Sequence, residues 1–375
     1  MQAELRARIE RAGGWLSFDN YMDAVLYAPG RGYYSAGATK FGPDGDFVTA
    51  PEISDLFARA FARQFAEVLA ATGGSVLEAG PGSGRFARVV LEELGIPGCR
   101  DVPYSLLEIS ADLRARQREE LGRDGAALGP VRWLNRPPTR HVGVIFANEL
   151  LDALPCDRFM IIGGRPQRLG VAVGAEGLRW APRRPDPNDP ADAEWLAEVD
   201  RVLEGVADEL PEGYCSELCP RAAAWVAELG GALERGAMIL VDYGLPRRQY
   251  YHPQRVSGTL RCHFRQRAHA DPFRYPGLTD ITAWVDFTRI AEAAQAAGLE
   301  VAAFATQAAF LLSLGIERLV EGEPANGARW FAQMQGVKRL LLPGEMGEAV
   351  KVMVLTRGWG CAPRGARLQD LRDSL

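Results

Sequence analysis

From Val76 to Phe86 the chain reads Val-Leu-Glu-Ala-Gly-Pro-Gly-Ser-Gly-Arg-Phe. A short apolar run enters a turn with glycine at every second position, and an amphipathic stretch follows. Glycine adopts left-handed backbone angles without a steric penalty, so such a turn can be tight and can let another group approach the main chain closely. The segment therefore predicts a strand, a turn and a helix from Phe86 to Leu94. The same alternation recurs downstream. Strands are expected at Tyr104–Glu108, Val131–Leu134, Val142–Ala147 and Met238–Val241, with a helix over about 110–121. A last pair is expected at Leu299–Ala305 and Val350–Thr356. Strands separated by helices indicate a doubly wound α/β fold, with a mostly parallel sheet covered on both faces.

In such a sheet, ligands bind beyond the carboxyl ends of the strands. Glu78, Gly80, Gly82 and Gly84 form the pattern Glu-x-Gly-x-Gly-x-Gly. It lacks the last glycine of a dinucleotide fingerprint, since position 85 is Arg and 86 is Phe. The pattern suits S-adenosyl-L-methionine, which has no pyrophosphate but has an ammonium that a carboxylate can hold. Glu108 ends the second strand, where a carboxylate can accept hydrogen bonds from both hydroxyls of a ribose. Its alternative role is to cap the next helix, but Ser110 is as good a cap. After the fourth strand come Asn148, Glu149 and Asp152, three polar residues in an apolar run. They could orient a cationic nucleophile and take its proton, or they could start a helix capped by Asn148.

Composition narrows the partners. With 43 Lys plus Arg and 48 Asp plus Glu, the formal charge is -5, which argues against wrapping nucleic acid or lying on an anionic membrane. The first 14 residues alternate Glu and Arg as in an amphipathic helix and lack the apolar core of a signal peptide, and no apolar run reaches transmembrane length. The expected location is the bacterial cytoplasm. Cys215 and Cys219 have the spacing of one metal half-site but no matching second pair, so no metal is expected. The arginines and histidines of 245–280 read as a solvated, irregular segment that could bind an acidic partner.

Taken together, the motifs resemble the MidA-like methyltransferase family, whose mitochondrial members are arginine methyltransferases of the complex I assembly factor 7 type. The matching blocks run in order along nearly the whole chain. They include Leu26 to Tyr34, Gly45 to Ser54, Glu78 to Gly84, Leu107 to Ser110, Ala147 to Pro155, Leu240 to Gly244, Gly258 to Arg261 and Asp280 to Thr288. The chain departs from the family at Leu150-Leu151, where relatives often carry Phe-Phe.

The resemblance implies a class I methyltransferase, Rossmann-like fold with seven strands and S-adenosyl-L-methionine as cofactor. It implies cofactor contacts from Glu78, Gly80, Gly82, Gly84, Glu108 and Asn148, and catalytic roles for Glu149, Asn148 and Asp152. Tyr33, Tyr34, Asp46, Phe47, Glu52 and Asp242 become candidates for holding substrate, with Tyr33, Tyr34 and Phe47 as an aromatic lid. The expected organisation is a helical and aromatic cover (1–72), a core (73–157 and 236–375, with an irregular segment at 245–280 and a helical insertion at 306–340) and a substrate-side insertion (158–235).

Three functions follow. The first is N-methylation of arginine in a protein; the second is O- or N-methylation of a small molecule; the third is a non-catalytic assembly protein with the same fold. The partners are thus a protein or small-molecule substrate, with no nucleic acid and no membrane, and a homodimer is left open.

Overall fold

The computed structural model describes residues 1–35, 49–95, 102–122, 130–320 and 327–375. The chain forms two compact units. One comprises Phe41–Leu150, Trp225–Gly244 and Ile290–Leu375; the other comprises Met1–Lys40, Leu151–Ala224 and Leu245–Arg289. Among the described residues, no helix is long and apolar enough to cross a membrane.

The first unit carries the expected sheet. Its strands are β1 (Ser75–Ala79), β2 (Tyr104–Leu107), β3 (Val131–Leu134), β4 (His141–Asn148), β5 (Leu233–Leu245), β6 (Glu300–Thr306) and β7 (Val350–Arg357). They lie in the order β6-β7-β5-β4-β1-β2-β3. Neighbours from β5 to β3 pair in parallel, and β7 runs antiparallel between β5 and β6. The central strands are apolar without alternation because both of their faces are covered. Val76, Leu77, Val144, Ile145, Phe146, Ile239 and Leu240 are all fully buried.

Glycine sets how closely the central strands start. Gly143 (φ 116°) and Gly236 (φ 136°) sit where a Cβ would come within 2.3 Å of Ser75 O and 1.9 Å of Gly143 O. No other residue fits there without separating the strands.

Helix α1 (Asp55–Thr72) starts at Ser54, whose hydroxyl accepts from Leu56 N at 3.3 Å, and stops at Gly73 with φ 67°. Its Phe57, Phe61 and Phe65 recur every four residues, so they share one face. Phe61 and Phe65 each approach the Phe146 ring of β4 to 5.3 Å. Phe86, on α2 (Arg85–Leu94), stacks on Phe146 at 4.4 Å and 7°. This aromatic core places α1 with the sheet, although the sequence reading put residues 1–72 in one cover. Helix α3 (Ala111–Gly122) follows β2.

The second unit contains helices Gln2–Arg11 and Phe18–Tyr27. It also has an antiparallel four-stranded sheet from Asp157–Ile162, Arg165–Gly174, Gly177–Arg183 and Cys215–Leu218. Its first three strands form a meander. Helix Pro190–Leu203 follows a Pro- and Asp-rich stretch. Asp189 caps it by accepting from Ala191 N and Asp192 N, and Pro190 is suited to the first helical turn. The segment read as irregular over 245–280 contains strands Arg261–Phe264 and Arg267–His269, which pair with each other, and Arg261–Phe264 pairs on its other side with Asp280–Thr282 to complete a small sheet. Inside the unit Arg168 holds Asp157 through contacts of 3.0 Å to both oxygens, and it reaches Asp192 at 3.4 Å.

The Phe146 ring closes the core of the sheet unit. Truncating it in Phe146→Ala should cost about 3–5 kcal/mol, read from the urea unfolding midpoint. A loss below about 1 kcal/mol would show that the aromatic cluster is not what holds α1 and α2 to the sheet.

Candidate functional site

The carboxyl ends of β1, β2, β4 and β5 gather most of the expected residues. Beyond β1 the chain turns through Gly80 (φ 64°), Gly82 (φ 52°) and Gly84 (φ 87°). All three are left-handed, which makes glycine necessary rather than merely convenient. Gly84 N donates to Pro81 O at 2.9 Å and closes the turn. A Cβ on Gly80 would lie 2.9 Å from the Leu150 side chain, and one on Gly84 would lie 3.2 Å from Gln117. The turn is therefore a bare main-chain cradle.

Two carboxyls flank it. Glu78 is buried, and Tyr104 Oη donates to its Oε2 at 2.7 Å. Burial pushes the Glu78 carboxyl up to about 8, against the lowering effect of that hydrogen bond. Glu108 follows β2. Its Oε1 accepts from Ser110 N at 2.8 Å and its Oε2 from Gln117 Nε2 at 3.3 Å. Burial raises its pKa, while these donors lower it.

Sequence reasoning missed Gln117. It is fully buried on α3, and its Nε2 also donates to Gly82 O at 2.9 Å. Its Oε1 accepts from Trp133 Nε1 at 3.0 Å. One amide thus fixes both the glycine turn and the Glu108 carboxylate. The available signal was a lone amide in a helix whose other polar residues are almost all charged.

No helix starts at Asn148; residues 149–156 form bends and turns. Glu149 has φ 47°, one of four non-glycine residues with positive φ among the described residues. Such a conformation costs about 1–3 kcal/mol and tends to mark functional positions. It is held by Glu149 N donating to Val241 O at 2.8 Å. Glu149 Oε1 accepts from Ala50 N at 3.0 Å and from Asn148 Nδ2 at 3.2 Å. Burial raises the Glu149 carboxyl to about 7 despite both donors. Beside it, Asn148 Oδ1 is buried and has no hydrogen-bond partner among the described residues. A buried acceptor without a donor costs free energy, so it fits a site completed by a ligand.

Glu52 and Asp242 also lie in this unit, but they serve the main chain and its neighbours. Ser83 Oγ donates to Glu52 Oε1 at 2.5 Å, and Arg85 Nη1 stands 3.7 Å from Oε2. Asp242 is 1% exposed and accepts from Leu150 N at 3.1 Å and Tyr243 N at 2.8 Å. It braces the turn after β4 against β5.

The remaining candidates belong to the second unit. Tyr33 is buried, and Tyr34 Oη donates to Asp280 Oδ1 at 2.9 Å while its ring stacks on Tyr27 at 5.4 Å. These are packed side chains, unlike a loose aromatic lid. Asp152 is buried, and its carbonyl accepts from Ala283 N at 2.9 Å. Asp46 and Phe47 lie outside the described residues.

The cradle, the two flanking carboxyls and the open acceptor of Asn148 suit a ligand with an ammonium, a ribose and no phosphate. Comparison with known proteins agrees. Residues 56–305 match the family of S-adenosyl-L-methionine-dependent methyltransferases. A protein from Burkholderia thailandensis, whose crystal structure holds S-adenosyl-homocysteine, is 41% identical with a TM-score of 0.93, covering 100% of this chain and 96% of that one. Human protein arginine methyltransferase NDUFAF7, a mitochondrial protein, is 28% identical, covering 92% of this chain and 81% of its own. The rat protein of the same name is 27% identical, covering 90% and 80%.

Glu149 also sets a pH dependence of stability. Its carboxyl rises from the ordinary 4.5 to about 7 on folding, so the folded protein keeps that proton to higher pH. The resulting stabilisation is complete below pH 4.5 and is lost as pH rises through about 7. Measured against Glu149→Gln by chemical denaturation, the wild type should lose stability across that window. A difference that stays constant with pH would contradict the burial of this carboxyl.

Proposed function

Because the chain belongs to the MidA-like family of S-adenosyl-L-methionine-dependent methyltransferases, we propose that it transfers the methyl group to an arginine side chain of a protein. The observation that carries this reading is the pairing of the raised Glu149 carboxyl with the open Asn148 Oδ1. Two neighbouring acceptors match the fork of N–H donors on a guanidinium better than a single hydroxyl or thiol. The arginine methyltransferases among the relatives support the same substrate class.

S-adenosyl-L-methionine, when bound, supplies a methyl on a sulfonium that needs little further activation. The chain then has three tasks. Gly80, Gly82 and Gly84 leave room for the cofactor against the main chain. Glu108, oriented by Gln117, accepts from ribose hydroxyls, and Glu78 faces the ammonium. Glu149 and Asn148 hold the acceptor guanidinium in line, which supplies orientation and excludes water. As the nitrogen–carbon bond forms and the sulfur–carbon bond breaks, the acceptor nitrogen sheds a proton to the Glu149 carboxylate. With a carboxyl raised to about 7, that base is mostly protonated in more acidic solution and competent above it.

Turnover should therefore rise with pH through about 7, and Glu149→Gln should lower kcat about 10²–10⁴-fold while cofactor affinity changes little. Steady-state kinetics with labelled donor check both; wild-type turnover in the variant would remove Glu149 from the reaction.

Gly82→Val should abolish cofactor binding in a chain that still folds, because a β-branched side chain at φ 52° would fill the cradle. Calorimetry with S-adenosyl-homocysteine reads this directly, and unchanged affinity would overturn the role of the turn.

The substrate class is tested by transferring label from S-adenosyl-L-methionine into a lysate of the source organism. Label in protein, recovered as methylarginine, supports the proposal. Label only in small metabolites would replace it with small-molecule methylation, and no transfer despite cofactor binding would favour an assembly role.

A further inference from the structure

Arginine is paired with carboxylates through much of this chain: Arg85 with Asp55, Arg88 with Glu92 and Glu120, Arg168 with Asp157, Arg289 with Glu198. Within the segment from Arg261 to Tyr275, Arg261, Arg267 and Arg274 depart from that habit. The segment holds four arginines, Arg261, Arg265, Arg267 and Arg274, against one acid, Asp271, in a chain of net charge -5. All four arginines are exposed. Asp271 is itself exposed, and its Oδ1 accepts from Phe273 N at 3.0 Å. Among the described residues, none of Arg261, Arg267 and Arg274 forms an ion pair.

The arginines are not simply solvated. Strands Arg261–Phe264 and Arg267–His269 form a hairpin whose two turn residues, Arg265 (φ 50°) and Gln266 (φ 62°), are both left-handed. Turns of that kind normally use Asn or Gly, so the chain bears strain to put Arg at the tip. Tyr275 is left-handed as well (φ 53°) and is 46% exposed. Its ring meets that of Phe264 at 4.9 Å. Arg265 Cζ lies 5.3 Å from the centre of the Phe264 ring, and Arg274 Cζ lies 5.2 Å from that of Tyr275. The order Arg265, Phe264, Tyr275, Arg274 is thus a tilted stack, with the two rings at 40° to one another and an arginine Cζ over each.

We propose that this arginine–aromatic array is a docking surface for a carboxylate-rich, extended segment of a partner protein. The Arg274 guanidinium, held against the Tyr275 ring, keeps its N–H edges for bidentate contact with carboxylates and loses less rotamer freedom on binding than a free side chain. Single-stranded nucleic acid is the less suitable occupant. It needs open ring faces for its bases, and each ring here already meets both a guanidinium and the other ring. The proposal does not depend on which molecule receives the methyl group.

The test uses the full-length protein and a fluorescein-labelled peptide of alternating Glu and Gly, with binding read by anisotropy at physiological ionic strength. The expected result is saturable binding that weakens about tenfold or more (about 1.4 kcal/mol) when Arg261, Arg265, Arg267 and Arg274 are all replaced by Ala. Tyr275→Ser, which removes the stack but no charge, should weaken it severalfold. A charge-matched control, with Arg140, Arg201, Arg318 and Arg372 replaced by Ala, should bind as the wild type does. Melting curves establish that each variant is folded, and the single Arg267→Ala, on the hairpin surface, serves if the fourfold variant is not. Equal loss in the control would overturn the proposal, as would no effect of Tyr275→Ser. Tighter binding of oligouridylate or of phosphatidylglycerol vesicles than of the peptide would also overturn it.

Discussion

The parallel ladder β2-β1-β4-β5 is the constraint on which the rest of the sheet unit depends. Its register sets Ala79 opposite both Leu107 and Ala147, and Asn148 opposite Val241. β1, β2 and β4 therefore end within about one residue of a common level, where β5 runs on past Val241 to Leu245, and the residues at that level share one edge. Glu78, the glycine turn, Glu108, Asn148 with Glu149, and Asp242 come from stretches of chain far apart in sequence and meet there for that reason alone. The register is fixed at the opposite end by Gly143 and Gly236, where main chain packs on main chain, and through the middle by the Phe146 cluster. A slip of one residue would turn the carboxyls of the edge to the other face of the sheet.

That edge is costly to build. Glu78 and Glu149 carry carboxyls raised to about 8 and about 7 by burial. Glu149 is held left-handed, and Asn148 Oδ1 has no donor among the described residues. Above about pH 7 none of these features stabilises the free protein. Under the proposed function they are a site kept ready for a cation at each end: an ammonium near Glu78 and a guanidinium near Glu149. Asp242, Gln117 and Glu52 then act as the frame, since each uses its polar atoms on the turns that carry those groups.

Much of this was legible in the sequence because the signals were local. The strand–glycine–helix segment, the acid after β2 and the polar residues after β4 all have meaning within a few residues of one another. What the sequence concealed depended on distant partners. Gln117 looks like any polar residue on a helix until Gly82, Glu108 and Trp133 surround it. Tyr33 and Tyr34 suggested a lid until Tyr34 was seen spent on Asp280. The helix Pro190–Leu203 hid behind a Pro- and Asp-rich start that reads equally well as a loop, and the hairpin at 261–269 turns on Arg-Gln rather than on Gly or Asn. The overall charge of -5 concealed a local excess of arginine.

Under the proposed function the carboxyl edge stays desolvated and largely neutral until a cationic ligand arrives. The most direct measurement is calorimetric titration of S-adenosyl-homocysteine across a pH series, for the wild type and for Glu78→Gln. An ammonium beside Glu78 favours the carboxylate, so binding below about pH 8 must release a proton. Wild-type affinity should climb with pH, by up to about tenfold per unit, level off above about 8, and lose this slope in Glu78→Gln. Affinity that is independent of pH in the wild type, or a slope that survives in the variant, would contradict that neutral edge.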